Sequence, residues 1–457
     1  MNWNLIEIYK ALNIKIKIQK NYEFNGISID SRKIKKNNLF IPIKGNNFNG
    51  HKFINDVERN GVKACLIEKK ESQSIESKKI LKIIVKDTKE ALIKLAEYAR
   101  ERSKLTSFIC ITGSSGKTTL KEWTQIILKG DYKSYCNPGN FNNDIGMPLA
   151  LVNMPKDIKY CILELGMNNY GEIRKLVKIA KPHISIITNI GNAHIGNFKN
   201  AEDIANEKSK IFEYLNPKSS AIIPFESKYF KKILYKAKKK TNNIYTFGLS
   251  KICYAKYEKE KGKFIFSIGK EKLLLRKLNF FKYWEQNVLI ILSLLKILNL
   301  NLDKFIRKLE KIQPLLGRGQ LLHIKYNKKK FFLIDESYNS NPTTLKEVIL
   351  NLKGKKKFKK KILVIGDMLE LGKYSERMHK DIVKPILKIS PDLVITVGHY
   401  SKVINKGISK EIETYHFDNY VQVYERIIEV IDDNDIVMIK GSNSIKLSKV
   451  CEKLMQK

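Results

Sequence analysis

The chain has 457 residues, 43% hydrophobic and 10% aromatic, with 86 Lys and Arg against 46 Asp and Glu, a formal charge of +40. That length exceeds what one core supports, so two to four domains are expected, and the apolar content excludes a disordered chain. The charge reads either as nucleic-acid binding or as a lysine-biased composition that attracts anionic substrates. It is mostly Lys, is spread over the whole chain, and clusters at Lys238–Lys240 and Lys355–Lys361 where loops are expected. No basic motif with interleaved aromatics accompanies it, so no nucleic-acid partner is expected.

Met1–Lys10 lacks the apolar centre of a secretory signal, which points to a cytoplasmic protein. Residues 1–85 read as a small α/β unit. Strand-like segments Gly26–Ile29 and Leu39–Ile43 flank a polar turn and lead into Lys44-Gly45 and Asn49-Gly50-His51. Small residues and donors on such loops suit a nucleotide or sugar phosphate, and a plain hairpin would carry the same pattern.

Residues 86–312 read as alternating strands and helices. Phe108–Ile111 is a short apolar run of strand type. It breaks at Gly113 and turns through Ser114, Ser115 and Gly116 into Lys117-Thr118-Thr119, with a helix expected over Leu120–Lys129. Strand, glycine turn and helix form the setting of a phosphate-binding loop, in which backbone N–H groups and the helix N-terminus meet phosphate oxygens. Lys117 would reach the terminal phosphates and the Thr118 hydroxyl would sit on Mg²⁺. The loop is tighter than the general G-x-x-x-x-G-K-[ST] pattern, because position 111 is Ile. An amide-rich segment, Asn137–Gly146, follows. A strand over Tyr160–Leu165 ends near Glu164, and one over Ile184–Thr188 leads to His194. Alternating β and α elements imply a parallel sheet with ligands at the strand C-terminal ends, where the phosphate loop, Glu164 and His194 all fall. A carboxylate at the end of an apolar strand is costly unless solvated, paired or bound to metal, so Glu164 is either a solvated terminus or a Mg²⁺ ligand. His194 on its glycine turn is either a satisfied loop histidine or part of that site. Lys208, on a helix over Glu202–Tyr214, reads by itself as a surface lysine.

Short strands between Ile244 and Leu275 suggest an antiparallel appendage. The most apolar stretch, Val288–Leu300, is interrupted by Ser293 and Lys296. It falls short of the ~18 residues of a membrane span and reads as a buried helix, so no membrane partner is expected. Residues 313–457 return to α/β alternation. Strands are expected at Phe331–Ile334, Ile362–Ile365, Leu393–Val397 and Ile436–Ile439, with polar loops after them. Gly317-Arg318-Gly319 marks a hinge whose arginine is either a solvated linker residue or one that closes onto a γ-phosphate. The six cysteines include no C-x-x-C pair and read as reduced core residues.

In order, IDSR (29–32), LFIPIKGNNFNGH (39–51), TGSSGKTT (112–119), NFNNDIGMPL (140–149), ELGMNNYGEI (164–173), TNIGNAH (188–194), GRG (317–319), DESYNSNP (335–342), GDMLELG (366–372) and KGS (440–442) span nearly the whole chain. This set resembles the Mur ligases of peptidoglycan synthesis, and SYNSNP, GDMLELG and ELGMNNYGEI look like the branch that adds D-alanyl-D-alanine. The resemblance implies a three-domain α/β architecture: a UDP-sugar-binding domain over 1–85, a central P-loop domain with a mostly parallel sheet over 86–312, and a Rossmann-like domain over 313–457 that binds the incoming dipeptide. It implies ATP and two Mg²⁺ ions as cofactors, UDP-N-acetylmuramoyl-tripeptide and D-Ala-D-Ala as substrates, and a monomer.

The residue roles that follow are equally those of the resemblance. Ser31, Lys44, Gly45, Asn49, Gly50 and His51 would lie near the uridine diphosphate. Gly113 to Thr119, Asn287, Arg318 and Asn339 would hold ATP. Thr118 and Glu164 would hold one Mg²⁺, with His194 and a carbamylated Lys208 at a second. Asn142, Tyr338 and Asn341 would meet the peptide substrates. Lys117, His194, Lys208 and Arg318 form the implied catalytic group. The chain departs from the family pattern at Asn49, Asn169, Glu207, Tyr283 and Asn443. Two other readings stay open: a related amide ligase with a single amino acid or folate polyglutamate as acceptor, and a nucleic-acid-stimulated NTPase.

Overall fold

The structure is a computed structural model that describes residues 3–15, 21–45, 48–73, 75, 79–260, 263–275, 284–327, 329–354 and 358–456. Tyr283 and Lys355 to Lys357 lie outside the described residues.

After a two-stranded ribbon, Trp3–Asn4 with Glu23–Phe24, three larger sheets follow one another along the chain. The first has four parallel strands, Gly26–Ser28, Asn38–Phe40, Ala64–Glu68 and Leu81–Val85, in that order. Parallel pairing of the first two excludes a hairpin between them: residues 29–37 are a crossover rather than a reversing turn. A short N-terminal piece ties this sheet to the next unit. Trp3 Nε1 donates to the Val152 carbonyl at 2.7 Å, and Asn153 Oδ1 accepts from the Ile27 N–H at 2.9 Å. The Arg102 guanidinium lies 3.9 Å from the Trp3 ring centre.

The second sheet has nine strands. Its order is Glu271–Leu275, Lys263–Ile268, Ala255–Glu260, Asn243–Gly248, Ser220–Pro224, Ile184–Ile187, Ser107–Thr112, Tyr160–Glu164 and Ser134–Cys136. Ser107–Thr112 is an interior strand, third from one edge, and wholly buried after its first residue. It lies parallel to both neighbours, so the loops that follow Thr112, Glu164 and Ile187 emerge at one sheet end. That arrangement brings the phosphate loop, Glu164 and His194 to one place.

Of the antiparallel appendage expected over 244–275, the strands from Ala255 to Leu275 are antiparallel to one another, and the first strand is not. Asn243–Gly248 is a parallel strand, and the three antiparallel strands after it extend the same sheet. The apolar helix Glu285–Ile297 covers this sheet, so residues such as Phe266, Ile268, Leu273 and Leu275 are buried while their alternates face water. Among the described residues no helix is long and apolar enough to cross a membrane.

The third sheet has six strands, in the order Gln320–Tyr326, Lys329–Glu336, Ile436–Lys440, Lys361–Gly366, Leu393–Val397 and Glu413–Phe417. Only the first pair is antiparallel. The edge strands Gln320–Tyr326 and Glu413–Phe417, like Ser134–Cys136 and Ser220–Pro224, were not expected from the sequence. The two edges of this sheet are mostly half-exposed, so they lack the apolar run that marks a central strand. All six cysteines are free and buried.

Candidate active site

The loop after Ser107–Thr112 has two glycines with separate reasons to be glycine. A Cβ on Gly113 would lie 1.9 Å from Thr188 Oγ1, so no side chain fits. Gly116 holds φ +79 as the residue that opens the helix Lys117–Leu128. The loop is braced from the segment 188–191. Asn189 Oδ1 accepts the N–H groups of Ser114 and Ser115 at 3.1 and 3.0 Å, and Thr188 Oγ1 donates to the Ser115 carbonyl at 2.6 Å. Two lysines converge behind it: Lys117 Nζ and Lys208 Nζ both donate to the Gly113 carbonyl, at 2.8 and 2.9 Å. Lys208 is 1% exposed. Burial pushes its ammonium well below the usual lysine range, and the charge of Lys117 pushes the same way. Burial also lowers Lys117, with Glu164 partly offsetting it.

Glu164, 2% exposed, faces this pair from the neighbouring strand. Asn142 Nδ2 donates to its Oε1 at 2.9 Å, whereas its Oε2 is buried with no hydrogen-bond partner. The amide-rich segment is itself fastened to the loop helix. Asn137 bonds the Glu164 backbone on both sides, at 2.8 and 3.0 Å. The fully buried Lys121 donates to the carbonyls of Asn137 and Gly139 at 2.6 and 2.8 Å.

The C-terminal unit closes the other side. Asp335 accepts from the Gly317 N–H at 3.1 Å and from Ser337 Oγ at 2.6 Å, which fixes the hinge against the 335–342 loop. The Arg318 guanidinium lies 4.0 Å from the Tyr338 ring centre, and Lys440 Nζ bridges Glu336 Oε2 and the Asn339 carbonyl at 3.0 and 2.9 Å. His194 Nδ1 lies 2.7 Å from Glu370 Oε2 of that unit. The His194 partner holds the Glu370 carboxyl below its usual range.

Between the units lies a cavity of about 730 Å³. From the loop and its helix it is lined by Ser114, Ser115, Gly116, Lys117 and Thr118. Asn142, Glu164, His194 and Asn287 line it from the rest of the central unit, and Arg318, Tyr338, Asn339 and Asn341 from the C-terminal one. Gly113, Thr119 and Lys208 are not on its wall: Thr119 is buried, and Lys208 reaches the loop from behind.

The first-unit residues form a separate cluster. Asn49 Nδ2 donates to Glu71 Oε1 at 3.2 Å, and Lys44 lies 3.8 Å from the same carboxylate. His51 is buried, with one ring nitrogen 2.9 Å from Asn49 Oδ1 and the other accepting the Glu68 N–H at 3.2 Å. Gly50 packs so closely on Ile43 that a Cβ would meet backbone at 2.9 Å. Gly45 turns back on Phe48, and Ser31 sits in the exposed crossover beside the Asp30–Arg32 pair. Asn189, Lys121, Glu336, Glu370 and Lys440 shape the site without having been singled out as candidates; only the motifs containing some of them marked their positions.

Among the described residues no group of three His, Cys, Asp or Glu side chains forms a ready-made metal cage. Magnesium does not need one, since it usually keeps waters and takes one or two carboxylates plus phosphate oxygens. The unpartnered Glu164 Oε2, in a cavity that Thr118 also lines, suits such an ion.

Three family models match consecutive parts of the chain: "Mur ligase family, catalytic domain" over residues 23–100, "Mur ligase middle domain" over 111–291, and "Mur ligase, glutamate ligase domain" over 317–443. A UDP-N-acetylmuramoyl-tripeptide--D-alanyl-D-alanine ligase from Rickettsia prowazekii is 34% identical, over 99% of this chain and 99% of its own. The chain belongs to the Mur ligase family. A second Mur ligase of the same description, from Buchnera aphidicola, is 33% identical over 94% of this chain and 92% of its own. The crystal structure of MurF from Acinetobacter baumannii superimposes with a TM-score of 0.88 at 27% identity, covering 100% of this chain and 99% of that one. The three-domain α/β architecture is that of this Mur ligase.

Proposed function

We propose that this Mur ligase joins D-alanyl-D-alanine to the terminal carboxylate of UDP-N-acetylmuramoyl-tripeptide, using ATP and releasing ADP and phosphate. The observation that carries the reading is one cavity lined by Lys117, Thr118 and Glu164 on one side and Arg318, Tyr338 and Asn341 on the other. A phosphate loop and a second polar loop set thus face to face suit transfer from a nucleotide to a peptide. We assign UDP-sugar binding to the unit up to about residue 85, ATP binding to 86–312 and dipeptide binding to 313–457; the three successive sheets support that division.

The peptide carboxylate oxygen attacks the γ-phosphorus of ATP, and the bond from that phosphorus to the ADP oxygen breaks. The backbone N–H groups of the loop and the Lys117 ammonium offset charge on the phosphoryl oxygens. The dipeptide amine then attacks the acyl carbon, loses a proton, and inorganic phosphate leaves. Arg318 and the 335–342 loop keep water from the acyl phosphate while the C-terminal unit is docked. Thr118 and Glu164 would hold one Mg²⁺ and His194 a second, and these ions would neutralise phosphate charge. Lys208 suits carbamylation in one respect: its burial favours the neutral amine, the form that adds to carbon dioxide. A carbamate there would carry the negative charge that a lysine otherwise cannot offer.

Mass spectrometry of the product tests the reading. With UDP-N-acetylmuramoyl-tripeptide and ATP, D-Ala-D-Ala should be incorporated in preference to glutamate, single D-alanine or a diamino acid. Preferential incorporation of a single amino acid would reassign the acceptor, and inertness toward the muropeptide would reject the proposal.

A further inference from the structure

Glu370 belongs to neither the phosphate loop nor the 335–342 loop, yet its carboxylate reaches across the boundary between the second and third sheets. Its Oε2 lies 2.7 Å from His194 Nδ1. The two atoms are in contact although the ring is not turned for a regular hydrogen bond.

The backbones on the two sides fit at close range. The Gly196 N–H donates to the Glu370 carbonyl at 3.0 Å. A Cβ on Gly196 would meet the Gly372 nitrogen at 2.6 Å, and one on Gly372 would meet Gly196 Cα at 2.8 Å. Tyr374 Oη donates to the Lys199 carbonyl at 3.1 Å. His194 and Glu370 themselves both hold left-handed backbone, φ 64° and 63°. Non-glycine residues stay there only where their surroundings over-determine them. Two such residues facing each other across a glycine-on-glycine contact form a built docking point.

We propose that Glu370 is a positioning residue, delivered by the C-terminal unit to His194 Nδ1 so that Nε2 is the nitrogen left for a divalent cation at the phosphate site. The inference deepens the ATP-dependent reading and rests on it. A carboxylate on the second nitrogen of a metal-binding histidine fixes its tautomer and orientation and raises its basicity. Here that carboxylate comes from another domain, so the cation site is complete only when the C-terminal unit is docked. By linkage, cation binding and docking then strengthen each other by the same factor. Phosphoryl transfer is thereby tied to a closed cavity.

The test is Mn²⁺ binding to the full chain in the presence of a non-hydrolysable ATP analogue, followed by electron paramagnetic resonance. Glu370→Gln and Glu370→Ala should each weaken Mn²⁺ binding by about 10–100-fold, the usual effect of losing such a partner, with the thermal unfolding midpoint unchanged. In a His194→Ala background, Glu370→Ala should produce no further loss. Wild-type Mn²⁺ binding by both Glu370 variants would overturn the inference. So would an equal loss in the His194→Ala background, which would make Glu370 act through the cation or through Lys117, whose charge it also feels. No muropeptide or dipeptide enters this measurement, so a wrong acceptor assignment would show only in the product assay.

Discussion

The loop after Ser107–Thr112 and the loop after Asn38–Phe40 both follow parallel strands, and both combine glycines, a lysine and hydrogen-bond donors. They differ in what their buried polar atoms do. Around His51 every ring nitrogen has a partner within the fold, and Asn49 and Lys44 share Glu71. Around Lys117 the accounting is incomplete. Two lysines share one carbonyl, and Glu164 Oε2 has no partner. Native interiors rarely leave such atoms unpaired, and on the wall of the cavity the deficit fits the ligand contacts proposed above. Burial alone does not make the distinction. Lys121 is as deeply buried as Lys208, yet it has two carbonyls and Glu122 at 3.1 Å, while Lys208 has one carbonyl, a cationic neighbour in Lys117, and Glu207 and Glu164 acting only through space.

Four substitutions sharpen or break this contrast. The largest effect is expected at the unpartnered carboxylate: Glu164→Gln should lower substrate-dependent phosphate release by about 10²–10³-fold, as for removal of a preorganised electrostatic group, with a native thermal melt. A rate near wild type would show that the empty valence is incidental. Lys121→Met should act on stability instead. It leaves buried carbonyls unpaired, at about 1–3 kcal/mol by urea denaturation. Lys208→Met should do the opposite. Stability should hold or rise, because a repelled buried amine is removed, while the rate falls by about 10–100-fold, the scale of losing a group that tunes a metal site. Added ¹³C-bicarbonate should give a carbamate resonance in wild type that this variant lacks. The smallest effect belongs to the exposed Lys44. Lys44→Ala should raise KM for the UDP-sugar substrate by up to about fivefold with kcat unchanged, as expected for an exposed ion pair, and added salt should shrink the difference. A kcat effect there would erase the distinction between the two loops.

The parts of the site that could be read from sequence are those set by local backbone rules. Gly113, Gly116 and Lys117 are legible because a strand-to-helix turn around phosphate has few solutions. Glu164 is legible because a carboxylate ending an apolar strand requires an explanation. Lys208 gained meaning only from the family resemblance, since nothing within its helix distinguishes it from a surface lysine. The bracing of Ser114 and Ser115 by Asn189, the clamp of Lys121 on Asn137 and the Lys440–Glu336 pair join segments 75, 16 and 104 residues apart. No periodicity within one segment reports such contacts. The polar edge strand Gln320–Tyr326 escaped notice for a related reason, because its only deeply buried side chain is Ile324.

The central claim is that Lys117 and Glu164 serve a nucleotide whose terminal phosphoryl group meets a peptide carboxylate in the cavity they share with Arg318. It is tested most directly by phosphate release from purified wild-type and Lys117→Ala protein given ATP, magnesium, UDP-N-acetylmuramoyl-tripeptide and D-Ala-D-Ala. The account predicts that wild-type release requires both peptide substrates, ignores added DNA or RNA at moderate salt, and falls by at least about 10²-fold in the variant. Release by Lys117→Ala at the wild-type rate, or stimulation of the wild type by nucleic acid in place of the peptides, would contradict it.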